Sequence, residues 1–220
     1  MTLLQIYDQI IGNVYGEATP TAGVKSRLKG STGVIAQAMK TIQGNHPWWF
    51  MVQEDTISIV AGTVEYDLPA RFKNYIALRY LKSDGNYTEK LIDMDSGGEY
   101  VNVFDPDAET DYPPYFEIRG DKIRLSAKPA VNSTLYVLFY QYFEDPSDVE
   151  ATWDATSNDL TDNASDVIIT TVTVRLTSML HDFQSVGFWI SQANYYLAEL
   201  KKVDFQRKKR TPFVVEYSDI

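Results

Sequence analysis

The sequence contains no cysteine, which excludes disulfides, thiolate metal sites and a thiol nucleophile. It has two histidines, His46 and His181, and neither has a second histidine or a carboxylate at metal-ligand spacing. His181 and Asp182 are neighbours that point to different sides of a helix, and structural roles are expected for both histidines. Phosphate-binding and dinucleotide-binding glycine patterns are missing, as is a G-x-S-x-G elbow; "DSGGEY" reads as a turn. Nothing singles out a carboxylate pair for glycosidic chemistry. No apolar run reaches the roughly 18 residues that a membrane span requires. The opening "MTLLQIYDQIIGNVYGE" lacks a basic start and carries Asp8 inside its apolar run, so a soluble protein made in the cytoplasm is expected and not a secreted one. Cations are scarce relative to acids: the net charge of −10 opposes tight nucleic-acid binding by charge neutralisation. The expectation is no enzyme, no cofactor and no metal.

What is present suits a folded protein. Hydrophobic residues make up 44% of the 220 positions and charged residues 23%, enough to build a core without a staple. Tyrosine is abundant at 15 copies, which fits strand faces that are half buried or buried on assembly. Charge is uneven. Residues 144–166 hold Glu144, Asp145, Asp148, Glu150, Asp154, Asp159, Asp162 and Asp166 with no lysine or arginine. Residues 201–210 hold Lys201, Lys202, Arg207, Lys208, Lys209 and Arg210 against Asp204.

Periodicity divides the chain. Leu3, Ile6, Ile10 and Val14 predict a helix over 2–14 with Thr2 as its N-cap. Leu28, Ile35, Met39 and Ile42 predict a second over 25–44, stopped by Gly44. The pattern then changes to period two. "DTISIVAGTVEYDL" predicts a hairpin about Gly62, "NYIALRYLKSDGNYTEKLIDMD" a hairpin about Asp84-Gly85, and residues 115–125 a third about Gly120-Asp121. Residues 133–143 predict a strand that is apolar on both faces and so lies inside a sheet. After an acidic loop, "SDVIITTVTVRLTSMLHDF" predicts a helix capped by Ser165 or Asp166, with Ile168, Val172, Leu176, Met179 and Leu180 in one stripe. A final helix over about 185–207 carries Val186, Ile190, Ala193, Leu197 and Leu200 as a near-heptad seam that should pack on another helix. The fold class is α+β. A helical bundle comes from both chain ends, 1–50 and 160–210, with an inserted antiparallel β-sheet module at 51–145. An acidic loop spans 146–165 and an extended arm 211–220.

Three stretches invite functional readings. In "NHPWWF", Pro47, Trp48, Trp49 and Phe50 make either an aromatic platform for carbohydrate or bases, or a wedge where the chain passes between modules. Asp105, Asp107, Glu109 and Asp111 alternate as a cation loop can begin, without the glycine and closing glutamate of the helix-loop-helix calcium pattern; a solvated loop is the plainer reading. The basic stretch 201–210 is a nucleic-acid patch, a helix end favoured by the dipole, or the base of an arm. In that arm, Thr211-Pro212-Phe213-Val214-Val215-Glu216-Tyr217, residues Phe213, Val215 and Tyr217 alternate with Val214 and Glu216, as strand addition to another subunit requires.

In order and spacing these landmarks resemble the head-to-tail adaptor, or connector, proteins of tailed bacteriophages. The likeness rests on the Trp-Trp-Phe after a second helix, on "TVEYDLPARFKNYIAL", on "YPPYFEIRGDKIRLSAKPAVNSTLYVLFYQYFEDP", and on C-terminal helices containing "FWISQANYYLAEL"; it spans about residues 30–200. The resemblance implies a virion protein of the neck, a dodecameric ring beneath the portal protein. One face would meet the portal and the other tail or neck proteins, and DNA would pass through the channel without specific binding. Such proteins are not enzymes, and they commonly engage the portal through C-terminal segments, which fits Thr211 to Ile220. The competing reading is a tail-associated carbohydrate-binding module that uses Trp48 and Trp49.

Overall fold

Thr2 caps the first helix, α1 (Leu3–Tyr15), through a reciprocal pair of bonds with Gln5. The computed structural model describes residues 1–16, 20–82, 85–94, 105, 107–146, 152–153 and 157–210. The arm at 211–220 and the cation-loop residue Pro106 lie outside them. The chain forms two units: Met1–Met51 with everything from Phe143 onward, and Val52–Tyr142.

The helix expected over 25–44 is two helices, α2 (Ala22–Leu28) and α3 (Val34–Asn45). Gly30 takes a positive φ of 78°, and Gly33 starts α3. A Cβ on Gly33 would sit 2.2 Å from the Lys29 carbonyl oxygen and 2.5 Å from that of Leu28. Space, not backbone angle, demands glycine there, because its φ is an ordinary −67°. At the other end α3 runs past Gly44 to Asn45. His46 turns extended because it precedes Pro47.

The acidic stretch is not a plain solvated loop. Trp153 is buried edge-on to Tyr7, with ring centres 6.1 Å apart. Asn158 and Thr161 form a capping box for α4 (Asp159–Asn163), which buries Leu160. Ala164 alone separates α4 from α5 (Ser165–Met179), so neither Ser165 nor Asp166 caps α5. Ile168, Val172 and Leu176 are buried as expected, whereas Met179 and Leu180 are exposed. Helices α1 and α3 pack on α5, as does α6 (Phe183–Arg210). Burial on several sides explains why α5 is so rich in β-branched residues. Thr170 and Thr177 enter the core by donating their hydroxyls to the carbonyls of Asp166, at 2.7 Å, and Thr173, at 2.9 Å.

The second unit is two sheets sharing one core. The first has the order β1 (Val52–Ile59), β9 (Ser133–Gln141), β3 (Phe72–Leu81), all antiparallel. The second has the order β2 (Glu65–Asp67), β7 (Lys122–Leu125), β6 (Tyr115–Arg119), β4 (Ile92–Asp93). A short parallel pair, β5 (Glu109–Thr110) with β8 (Lys128–Pro129), completes it. Strand β9 is central, and Leu135, Val137 and Phe139 point into the core beside Leu78, Tyr80, Phe116, Ile123 and Leu125.

The first expected hairpin is corrected, and the second forms near its turn before the chain leaves it. Strands β1 and β2 flank the turn at Gly62 (φ 81°) but pair with β9 and β7, in different sheets. The Tyr66 hydroxyl holds this crossing by donating to the Thr63 carbonyl at 2.7 Å and accepting the Val60 backbone N–H at 3.2 Å. About the turn at Gly85 (φ 82°) the chain returns antiparallel beside β3, through the Leu81–Tyr87 bridge and backbone bonds from Thr88 to Tyr80 and from Leu91 to Leu78, then joins β6 in parallel as β4. The third hairpin, β6–β7 about Gly120, forms as expected. Tyrosines serve the core in different ways. The buried Tyr80 hydroxyl has no hydrogen-bond partner among the described residues, and burial pushes its phenol far above the ordinary range. Tyr136 is pushed up to about 12, by burial first and then by its hydrogen bond to Glu54.

Replacing Gly33→Ala is expected to destabilise the helical unit by about 2 kcal/mol, because the Lys29 and Leu28 carbonyls must move. Urea unfolding followed by tryptophan fluorescence measures this. Phe139→Ala, which empties a core position stacked on Phe72, should cost about 3–5 kcal/mol in the β unit by the same method with a hydrogen-exchange readout.

Candidate functional site

The densest polar construction in the helical unit surrounds the "NHPWWF" segment. Asp204, on α6, is only 3% exposed. One carboxylate oxygen accepts the Trp49 backbone N–H at 2.7 Å. The other lies 2.8 Å from His46 Nε2 and 2.9 Å from Lys208 Nζ, one helical turn on. Lys208 also donates to the Pro47 carbonyl. One acid thus ties the exit of α3 to the last turns of α6, and its partners offset the loss of hydration that burial imposes.

The aromatic rings close over this clamp. Trp48 is 1% exposed, donates its indole N–H to the Ile42 carbonyl at 2.9 Å, and stacks parallel to Phe50. It therefore caps a helix end and presents no face to a sugar or base. Trp49, half buried, lies under the Arg207 guanidinium at 5.2 Å and begins a short 3-10 turn, Trp49–Met51. Phe50 meets Phe143, where the chain re-enters this unit. The four residues Pro47 to Phe50 are thus packed within the helical unit.

The remaining sequence candidates separate. His181 follows α5 in a left-handed conformation (φ 58°), and Asp182 beside it is held below the ordinary carboxylate range by Ser185, through side chain and then backbone. Asp105 accepts from the Asp107 and Ala108 backbone N–H groups, Asp107 pairs with Lys128 at 3.6 Å, and Glu109 begins β5. Among the described residues no group of histidine and carboxylates gathers as a metal site. The basic stretch is partly structural: Arg207 and Lys208 serve the clamp, and Lys209 sits over the Phe205 ring at 4.5 Å. The arm residues Thr211 to Tyr217 lie outside the described residues. A shallow cleft of about 260 Å³ opens beside the clamp, lined by Trp49, Asp166, Tyr196, Leu200, Val203 and Arg207.

The other notable surface is apolar. Phe183, Phe188, Ile190, Tyr195 and Phe205 of α6 are exposed, and Ile190 therefore leaves the expected inner seam. Val186, Ala193 and Leu197 are half buried and Leu200 buried, and α6 packs on α5. In the β unit Val60, Tyr87, Ile92, Val131 and Tyr142 are exposed. No catalytic constellation accompanies them among the described residues. Clefts and faces of this kind serve contact with other macromolecules better than turnover.

Compared with known protein families, residues 1–215 match the profile of the SU10 adaptor protein family. None of the curated proteins compared matches the chain. The chain belongs to the SU10 adaptor protein family, and with it to the structural adaptor proteins of tailed bacteriophages. No helix among the described residues is long and apolar enough to cross a membrane.

Removing the clamp with Asp204→Ala is expected to lower the stability of the helical unit by about 3 kcal/mol, since His46, Lys208 and the Trp49 amide lose their shared acceptor. Near-ultraviolet dichroism of the tryptophans during urea unfolding checks this, and Asp204→Asn should recover part of the loss.

Proposed function

We propose that the protein is the head-to-tail adaptor of its phage: a ring, dodecameric by the resemblance, seated between the portal protein and tail or neck proteins around the DNA channel. The observation that carries this reading is the family match across residues 1–215. Supporting it, both units expose aromatic and aliphatic side chains suited to protein contact. In a closed ring each subunit meets its neighbours through two different patches. The arm from Thr211 to Ile220 is the segment assigned to the portal. A net-acidic subunit suits a channel wall along which phosphates slide without adhering. The carbohydrate reading loses its main support with Trp48 buried.

Electron microscopy of the chain mixed with its portal should show rings with a central pore docked on the portal. A chain that never joins the portal contradicts the reading. Deleting Thr211 to Ile220 should abolish docking and leave the thermal transition of the subunit unchanged; normal docking by the truncated chain removes the arm from the proposal.

A further inference from the structure

Helix α6 carries two seams. Val186, Ala193, Leu197, Leu200 and Asp204 face inward, and α6 packs on α5. At 100° per residue, Phe188, Ser191, Tyr195, Ala198, Lys202 and Phe205 fall on the opposite side. Their spacing of three and four residues is that of a helix-pairing seam. All six are exposed, with Phe188 at 57%, Tyr195 at 59% and Phe205 at 59%. Over the first four positions large and small residues alternate: Phe188, Ser191, Tyr195, Ala198. A seam of that kind leaves knobs and the holes to receive them on one surface.

We infer that α6 pairs antiparallel with the α6 of a second copy through this outer seam, so that the free protein is a two-fold dimer. The register follows from the seam itself. With the two-fold axis between residues 196 and 197, Tyr195 of each copy rests on Ala198 of the other, Ser191 faces Lys202, and Phe188 faces Phe205. Charge selects the direction. Residues 183–198 contain no charged side chain, whereas Lys201, Lys202 and Lys209 are exposed near the other end. A parallel pair would bring both basic ends together. In this register an antiparallel pair sets the two Lys202 about 16 Å apart and the two Lys209 about 37 Å apart along the axis, about two to four screening lengths. An isologous contact of this kind closes at two copies, so it is distinct from the head-to-tail contacts of a ring. It keeps the aromatic face of the unassembled subunit out of water.

The absence of cysteine makes the test direct. Two single variants, Ser191→Cys and Lys202→Cys, are oxidised separately and as a mixture, with the mass of the untreated full chain in solution measured by light scattering. Within one helix these positions are about 16 Å apart, too far for a bridge. The expected result is a dimer in solution and a disulfide-linked pair only in the mixture. Tyr195→Glu, at an exposed position, should weaken the dimer at least tenfold while its far-ultraviolet dichroism stays that of the parent. A monomer, or cross-linking by either variant alone, overturns the inference. So do rings that give no mixed cross-link, although these would leave the adaptor reading intact.

Discussion

One buried carboxylate organises the helical unit. Asp204 gathers the Trp49 amide, His46 and Lys208, and through them fixes where α3 ends and how α6 lies against that end. A buried acid with a single partner would be a liability; with three it acts as a joint. The aromatic residues that follow Pro47 depend on it. Trp48 finds the Ile42 carbonyl and Arg207 finds the Trp49 ring because the backbone between them is pinned. The β unit has a smaller counterpart in Glu117, buried on β6 and bridged by Arg119 at 2.7 Å and by Arg124.

For a structural adaptor, shape and stiffness are the properties that matter. The clamp makes the helical unit one body, and the shared core of two sheets does the same for the β unit. A protein of the SU10 adaptor family has to keep its form while it holds other phage proteins, and rigid modules reduce the entropy lost on assembly. The exposed apolar residues then have a definite geometry to present.

Much of this was readable from residue order, because the periodicities are strong. The alternation in 133–143 marked a central strand, and β9 is one. The α+β class with helices from both ends followed from the change of period after "NHPWWF". What escaped has particular causes. The break between α2 and α3 depends on a carbonyl approach at Gly33 that periodicity cannot register. The turn at Gly62 was visible, but its strands pair elsewhere because partners at 122–125 and 133–141 lie far along the chain. Trp153 and Leu160 were hidden within a run of acids. Asp204 left a faint signal as the lone acid among six cations, one helical turn before Lys208. Its bonds to His46 and Trp49 cross more than 150 positions and could not be foreseen.

Strands β1 and β9 run side by side, with Val52 opposite Tyr140, so the chain leaves and re-enters the helical unit across one narrow ribbon. That topology sets a timetable at the ribosome. Helices α1 and α3 emerge first, yet α5, the helix they pack on, is translated more than a hundred residues later. At about 5–20 residues per second the early helices wait on the order of ten seconds with their greasy sides bare, while the β unit folds ahead of them. Pairing of β1 with β9 shortens the remaining loop, so the last-made helices dock onto the first-made ones almost as though they were adjacent in the gene.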